Sequence, residues 1–193
     1  MSTSRTMVCP DCWSLKGWCS FCRGAGRVSD VRLSPNFWLS EFLKSNKALR
    51  NGFSQVPAEA QVANMRRLCV ELLEPLRAIH GGPVEVTSGI RVSLELNELI
   101  GGSATSSSLY LGEADHADTA WPVPRREVME TLARGRLAFD QAIFEERVTS
   151  AGVSKWLHLS SRHTSGRQRR QLLMCFRNGK YEQWSPNDPR VMS

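Results

Sequence analysis

From Pro57 to His80 the apolar side chains Val62, Met65, Leu68, Cys69, Leu72, Leu73, Leu76 and Ile79 recur every three or four positions, the period of a helix with one buried face. Gly81-Gly82-Pro83 closes the run, because glycine accepts the left-handed turn at a helix end and proline cannot continue a helix. Pro75 falls late in the pattern and is expected to bend its last turns or split them off. A shorter helical stretch begins at Ser40, a good N-cap, and runs through Ala48 and Leu49 to Asn51-Gly52. Val92 to Ile100 and Pro124 to Gly135 read as two more helices, with the polar stretch Ser103 to Ser108 as a loop. Strand-like segments are Val84 to Thr87, Phe139 to Phe144 and Trp156 to Ser160, followed by Leu172 to Phe176 and Tyr181 to Trp184 on either side of the hairpin turn Asn178-Gly179. Helices first and strands later predict an α+β domain, a helical layer packed on a small, mostly antiparallel sheet.

The N-terminal segment shows neither period. Four of the six cysteines, Cys9, Cys12, Cys19 and Cys22, lie there as Cys-x-x-Cys-x6-Cys-x-x-Cys, while Cys69 and Cys175 stand alone in apolar surroundings. Two such knuckles can close a tetrahedral thiolate shell around one ion, so the spacing predicts structural Zn2+. The second half, Cys19-Ser20-Phe21-Cys22-Arg23-Gly24-Ala25-Gly26, resembles the zinc knuckles of DnaJ-type proteins. So short a segment has almost no core, and its folding energy, on the order of 10 kcal/mol, must come from the metal. The expected organisation is a zinc module over residues 1–30 and a main domain over 31–193.

The chain has 193 residues, 41% of them hydrophobic and 23% charged, which excludes a disordered or fibrous protein and is enough for a real core. No apolar run approaches the roughly 20 residues of a membrane-spanning helix, and the N-terminus lacks the apolar segment of a signal peptide; synthesis in the cytoplasm is expected. The net charge of +6 is concentrated at the C-terminal end, where Val148 to Ser193 holds eight basic residues against two acidic ones. That excess suits an anionic partner, or is simply a solvated face.

Across residues 33 to 160 the sequence resembles the zinc D-alanyl-D-alanine carboxypeptidase family of peptidoglycan peptidases, in its small phage and bacterial branch. The matching pieces include Leu33-Ser34-Pro35-Asn36-Phe37, Leu73-Glu74-Pro75-Leu76-Arg77, Thr87-Ser88-Gly89-Ile90-Arg91, Gly101-Gly102-Ser103, Gly112-Glu113-Ala114, Phe139-Asp140-Gln141 and Trp156-Leu157-His158. The resemblance implies the metal cleft on the sheet and zinc held by a Ser-x-His-x-x-Gly-x-Ala-x-Asp motif plus a later His. Aligned on Gly112 and Ala114, Ser107 matches the motif's Ser, Leu109 stands where its His belongs and His116 where its Asp belongs, while His158 matches the last ligand. Leucine cannot coordinate a cation; histidine can replace aspartate. His116 and His158 with Asp118 or Asp115 are therefore the candidate second site, on what reads as a solvated loop from Asp115 to Asp118. Lys155 holds the position of the family's catalytic acid and is a poor base, so Glu145 or Glu146 would have to replace it. The family's substrate-binding or carbonyl-polarising Arg matches Arg91, and Ser107 is a further substrate-binding candidate.

Three functions follow as expectations. The favoured one is a non-catalytic, peptidase-like module, a pseudoenzyme built into a bacteriophage virion among other virion proteins. The alternative is an active peptidoglycan carboxypeptidase or endopeptidase with a displaced ligand set and a second Zn2+. The third is a nucleic-acid-binding protein using the knuckle and the basic tail.

Overall fold

In the computed structural model, which describes residues 5–14, 19–102, 104–135, 137–150, 152–177 and 179–191, the chain forms a two-stranded sheet at the N-terminus and a six-stranded mixed sheet covered on one face by helices. Strands β1 (Thr6–Val8) and β2 (Arg27–Ser29) pair antiparallel and carry the cysteine segment between them. The large sheet comprises β3 (Glu85–Ser88), β4 (Ala117–Ala120), β5 (Gln141–Thr149), β6 (Gly152–Ser160), β7 (Gln171–Cys175) and β8 (Glu182–Gln183), in the order β3-β4-β6-β5-β7-β8. Every neighbouring pair is antiparallel except β5 with β7, so the expected α+β architecture holds, with one parallel pairing added.

The helical layer departs from the sequence pattern in two places. The stretch from Ser40 to Leu49 is two helices, α1 (Leu39–Phe42) and α2 (Asn46–Asn51), because the Ser45 hydroxyl accepts from the Ala48 N–H and starts a new helix there. Gly52, at φ 68°, ends α2. The long amphipathic run is α3 (Glu59–Leu68), a single π-helical turn over Cys69–Leu73, and α4 (Glu74–His80). Pro75 is the physical reason: it lacks the N–H that would bond the Glu71 carbonyl, and the backbone widens just before it, so that the Glu74 N–H reaches the Cys69 carbonyl. Helix α5 (Leu94–Leu99), capped by Ser93, stands beside Arg91, whereas α6 (Arg125–Ala133) packs on the same core as α3 and α4. No described helix is long and apolar enough to cross a membrane.

The sheet's alternation sorts its residues between two environments. Ala117, Ala142, Phe144, Leu157, Leu159 and Met174 face the helices and pack with Phe42, Met65, Leu68, Leu72, Leu76, Met129 and Leu132 in one continuous core. The opposite face carries Asp118, Ile143, Glu145, Trp156 and His158, which line a cleft. Strand β4 is the largest correction to the sequence reading. Asp115, His116 and Ala117 are fully buried, where a solvated loop was expected, and β4 sits between β3 and β6. Ser103 of the expected polar loop and Asn178 of the hairpin turn lie outside the described residues.

Candidate metal centres and cleft

The four N-terminal cysteines converge. Cys9 Sγ lies 3.8 Å from Cys19 Sγ and Cys12 Sγ lies 3.7 Å from Cys22 Sγ, all four buried. Four sulfurs at about 2.3 Å from a tetrahedral ion stand about 3.8 Å apart, whereas a disulfide would require about 2.05 Å. The donor set thus fits a single metal ion. Arg23, Gly24 and Gly26 take positive φ as the second knuckle curls back, and the Gly26 N–H donates to Cys22 Sγ at 3.3 Å. At Gly26 a side chain would also collide with Ser14 Oγ, 2.8 Å from where its Cβ would stand.

A second cluster lies on the large sheet. The register of β4 against β6 sets Asp118 opposite His158, and His116 enters one residue before β4 begins. Asp118 Oδ1 is 3.0 Å from His158 Nδ1 and 4.0 Å from His116 Nε2, and the two imidazoles stack with centroids 4.8 Å apart. Ligand atoms around a tetrahedral ion at about 2.05 Å stand about 3.3 Å apart, so these three need only small rotations to share one. Two imidazoles and a carboxylate are also the right chemistry for such an ion. His116 is fully buried, and its Nδ1 has no hydrogen-bond partner among the described residues. Burial drives its pKa down to about 3, which keeps the ring neutral with one nitrogen unprotonated, while Nε2 lies 3.4 Å from Ser108 Oγ on the side of Asp118. Burial alone would raise the Asp118 carboxyl, but the hydrogen bond from His158 and the nearby His116 hold it below the usual range, as the anion.

The cleft in front of this cluster has a volume of about 780 Å³ and takes in every main-domain candidate that faces it. Ser107 Oγ stands 3.4 Å from His158 Nε2, at the ring nitrogen not used by Asp118. Arg91 reaches the cleft with its Nη1 donating to Asn97 Oδ1 at 2.8 Å. Gly102 leaves room for that pair, since a Cβ there would run into both Asn97 and Arg91. The alternation of β5 separates the two candidate bases. Glu145 faces the cleft, whereas Glu146 faces away, 3.7 Å from Lys155 and 3.6 Å from Arg177. Burial pushes the Glu145 carboxyl above its ordinary range although His158 pulls the other way, and the Tyr181 hydroxyl donates to its Oε1 at 3.0 Å.

Asp115, the other candidate carboxylate, is committed elsewhere: its Oδ1 accepts from the Ser161 and Arg162 backbone N–H groups, and Arg67 lies 3.5 Å away. Leu109 is buried and offers no donor atom. Sequence reasoning missed Tyr181 and Arg147, which line the cleft, and Asn97, which holds Arg91. Tyr181 comes from the β7–β8 connection, Arg147 from β5 and Asn97 from α5, and only the assembled fold brings them to the cleft or to Arg91.

The cleft on this α+β sheet is lined by the His158 imidazole, the Asp118 carboxylate and the buried Glu145, with the His116 imidazole stacked on His158 beneath the surface. The model of the Peptidase M15 family matches residues 35–159, which contain both β4 and β6, and the chain belongs to that family. No curated protein and no solved structure matches the chain.

Proposed function

We propose that the chain is a zinc peptidase acting on the peptide cross-links of peptidoglycan, with His116, Asp118 and His158 as a displaced ligand set. The observation that carries this reading is the convergence of those three donors to within 4.8 Å, with Asp118 and His158 lining the cleft alongside Glu145 and His116 buried behind them. It moves the reading away from the non-catalytic module, because His116, in place of the family's Asp, and the matching His158 meet Asp118 as three donors of the right chemistry for a metal. Zinc held there supplies a Lewis acid for the scissile carbonyl and an acidified water. Glu145 takes the proton of the attacking water on a carboxylate oxygen and hands it to the departing amine as the C–N bond breaks. Its raised pKa suits both halves of that task, and Tyr181 holds it in place. Arg91 directs its guanidinium into the cleft, where it orients the substrate's carbonyl or carboxylate. Structural zinc in the four-cysteine module is part of the same reading.

A non-catalytic module carried in a phage particle is the second reading. It is favoured by Leu109, which cannot bind metal, and by Lys155, which stands in the base position but pairs with Glu146. Zinc per chain, measured on chelator-washed and reloaded protein, separates the two. Two zinc ions in the wild type and one in His158→Ala, with loss of peptide hydrolysis, are the expected results. One zinc in both proteins would overturn the peptidase reading and favour the second.

A further inference from the structure

Gln55 is fully buried, yet it belongs to neither metal centre. A buried amide costs free energy unless its groups are paired, and an apolar side chain of similar size would fill the space without that cost. Its pairing is specific. The side chain clamps the two peptide groups that flank Arg91: Nε2 donates to the Ile90 carbonyl at 3.1 Å and Oε1 accepts from the Val92 N–H at 3.1 Å. Its own backbone N–H donates to the Pro10 carbonyl at 2.7 Å, and Pro10 lies inside the first Cys-x-x-Cys knuckle. One residue past that knuckle, the Trp13 indole N–H donates to the Phe53 carbonyl at 2.8 Å. The backbone that folds around the first two cysteines therefore holds residues 53–55 at two points, and Gln55 passes that hold to the loop bearing Arg91. The far side of the loop is fixed as well, by the Arg91 N–H donating to the Ser108 carbonyl at 2.7 Å.

We infer that the four-cysteine module is a positioning element for the cleft, and that Gln55 is the positioning residue through which its metal-dependent fold sets Arg91. What Arg91 does to a substrate rests on the peptidase reading; the coupling from cysteines to Arg91 does not. Losing the metal, by thiol oxidation or by scarcity of the ion, would free residues 53–55 and slacken the Arg91 loop while leaving the His116–Asp118–His158 cluster on its strands.

The test is a double-mutant cycle on the full chain, read without turnover from the Arg91 Nε–H signal in ¹⁵N spectra and from amide hydrogen exchange at Arg91 and Val92. Cys12→Ser is expected to shift or broaden the Arg91 signal and to speed exchange at Arg91 and Val92 by about tenfold, the scale of one lost hydrogen bond, with amides of β5 and β6 unchanged. In a Gln55→Met background, which keeps the side-chain volume and removes the clamp, Cys12→Ser should add little. An unaltered Arg91 signal in Cys12→Ser overturns the inference, and an effect that persists in full without Gln55 overturns the route. Should Cys12→Ser fail to fold, Trp13→Phe keeps all four cysteines and removes only the indole bond. A change at Arg91 in that variant supports the coupling, and none overturns it. In peptide hydrolysis Gln55→Met should raise KM by about tenfold with kcat within about twofold, the pattern of weakened uniform binding. An inactive wild type would sink the peptidase reading while leaving the spectroscopic result to decide the coupling.

Discussion

Asp140 sits at the start of β5, and Arg169 grips its carboxylate with both ends of the guanidinium fork, Nε to Oδ1 at 2.8 Å and Nη2 to Oδ2 at 2.5 Å. The Asp140 backbone also joins the two strands that run parallel, because its carbonyl accepts from the Gln171 N–H. Burial alone would raise this carboxyl, but the Arg169 hydrogen bonds outweigh it and hold the pKa below the ordinary value of about 3.9. A depressed folded-state pKa gives stability that is complete above the unfolded value and is lost as the pH falls through the folded one. Arg169→Gln should therefore cost about 2 kcal/mol at neutral pH, and less of that difference should survive below about pH 4. Urea melts of both proteins at pH 7 and pH 3 check this: an equal gap at the two values would remove Asp140 as the source. At this scale much was legible. The four cysteines announced themselves by spacing, and His116, Asp118, His158, Glu145 and Arg91 were all nameable in advance. What could not be read was which of two neighbouring carboxylates faces the cleft. Glu145 and Glu146 are sorted by which face of β5 each occupies, and Asp118 and Asp115 by which one is already bonded to the Ser161–Arg162 backbone.

At the scale of elements, β4 shows why that choice was hidden. Ala117-Asp118-Thr119-Ala120 has a single β-branched residue, Thr119, and no aromatic one, and only Ala117 packs into the apolar core, so little in the segment marks a strand. Its polar groups are satisfied internally: Thr119 Oγ1 donates to the Leu157 carbonyl and accepts from the Trp121 indole. The helix from Pro57, by contrast, was plain from its period, and only the π-helical turn before Pro75 needed the structure. The parallel pairing of β5 with β7 was invisible because the returning segment, residues 161–170, has no period of its own. Gly89 joins β3 to the Arg91 loop and tests how tightly these elements meet. A Cβ there would stand 2.6 Å from the Phe42 carbonyl oxygen and 2.8 Å from its Cα, both backbone atoms of α1 that cannot swing aside. Gly89→Ala should cost about 1–3 kcal/mol and displace the loop, weakening substrate binding along with stability. A variant with wild-type stability would show that α1 and β3 are free to part.

Taken whole, the molecule pairs five of the eight basic residues that the sequence concentrates near its C-terminus with carboxylates. Lys155 and Arg177 pair with Glu146, Arg162 with Glu71, Arg169 with Asp140, and Arg190 with Glu182 and Asp188. Cations tied down in this way offer little to a phosphate backbone, which weakens the nucleic-acid reading and leaves the cysteine module as the principal addition to the peptidase-like body. That module is not a loose appendage. Met7 of β1 belongs to the main core, and Asp30 ties the end of β2 to α1 by accepting from the Ser40 N–H at 3.1 Å and its hydroxyl at 2.7 Å. A Cys9→Ser, Cys12→Ser double variant removes two of the four thiolates, so the module should lose its metal and unfold. The body keeps its helices, its sheet and nearly all its core, and should retain one cooperative calorimetric transition. The lost contribution of Met7 and the bonds to residues 53–55, about 2 kcal/mol, should lower that transition by about 4–8 °C in a chain of this size. A transition left where the wild type has it would mean that the module only rests on the body. Its disappearance would mean that the two fold as one unit and that no boundary exists near Asp30.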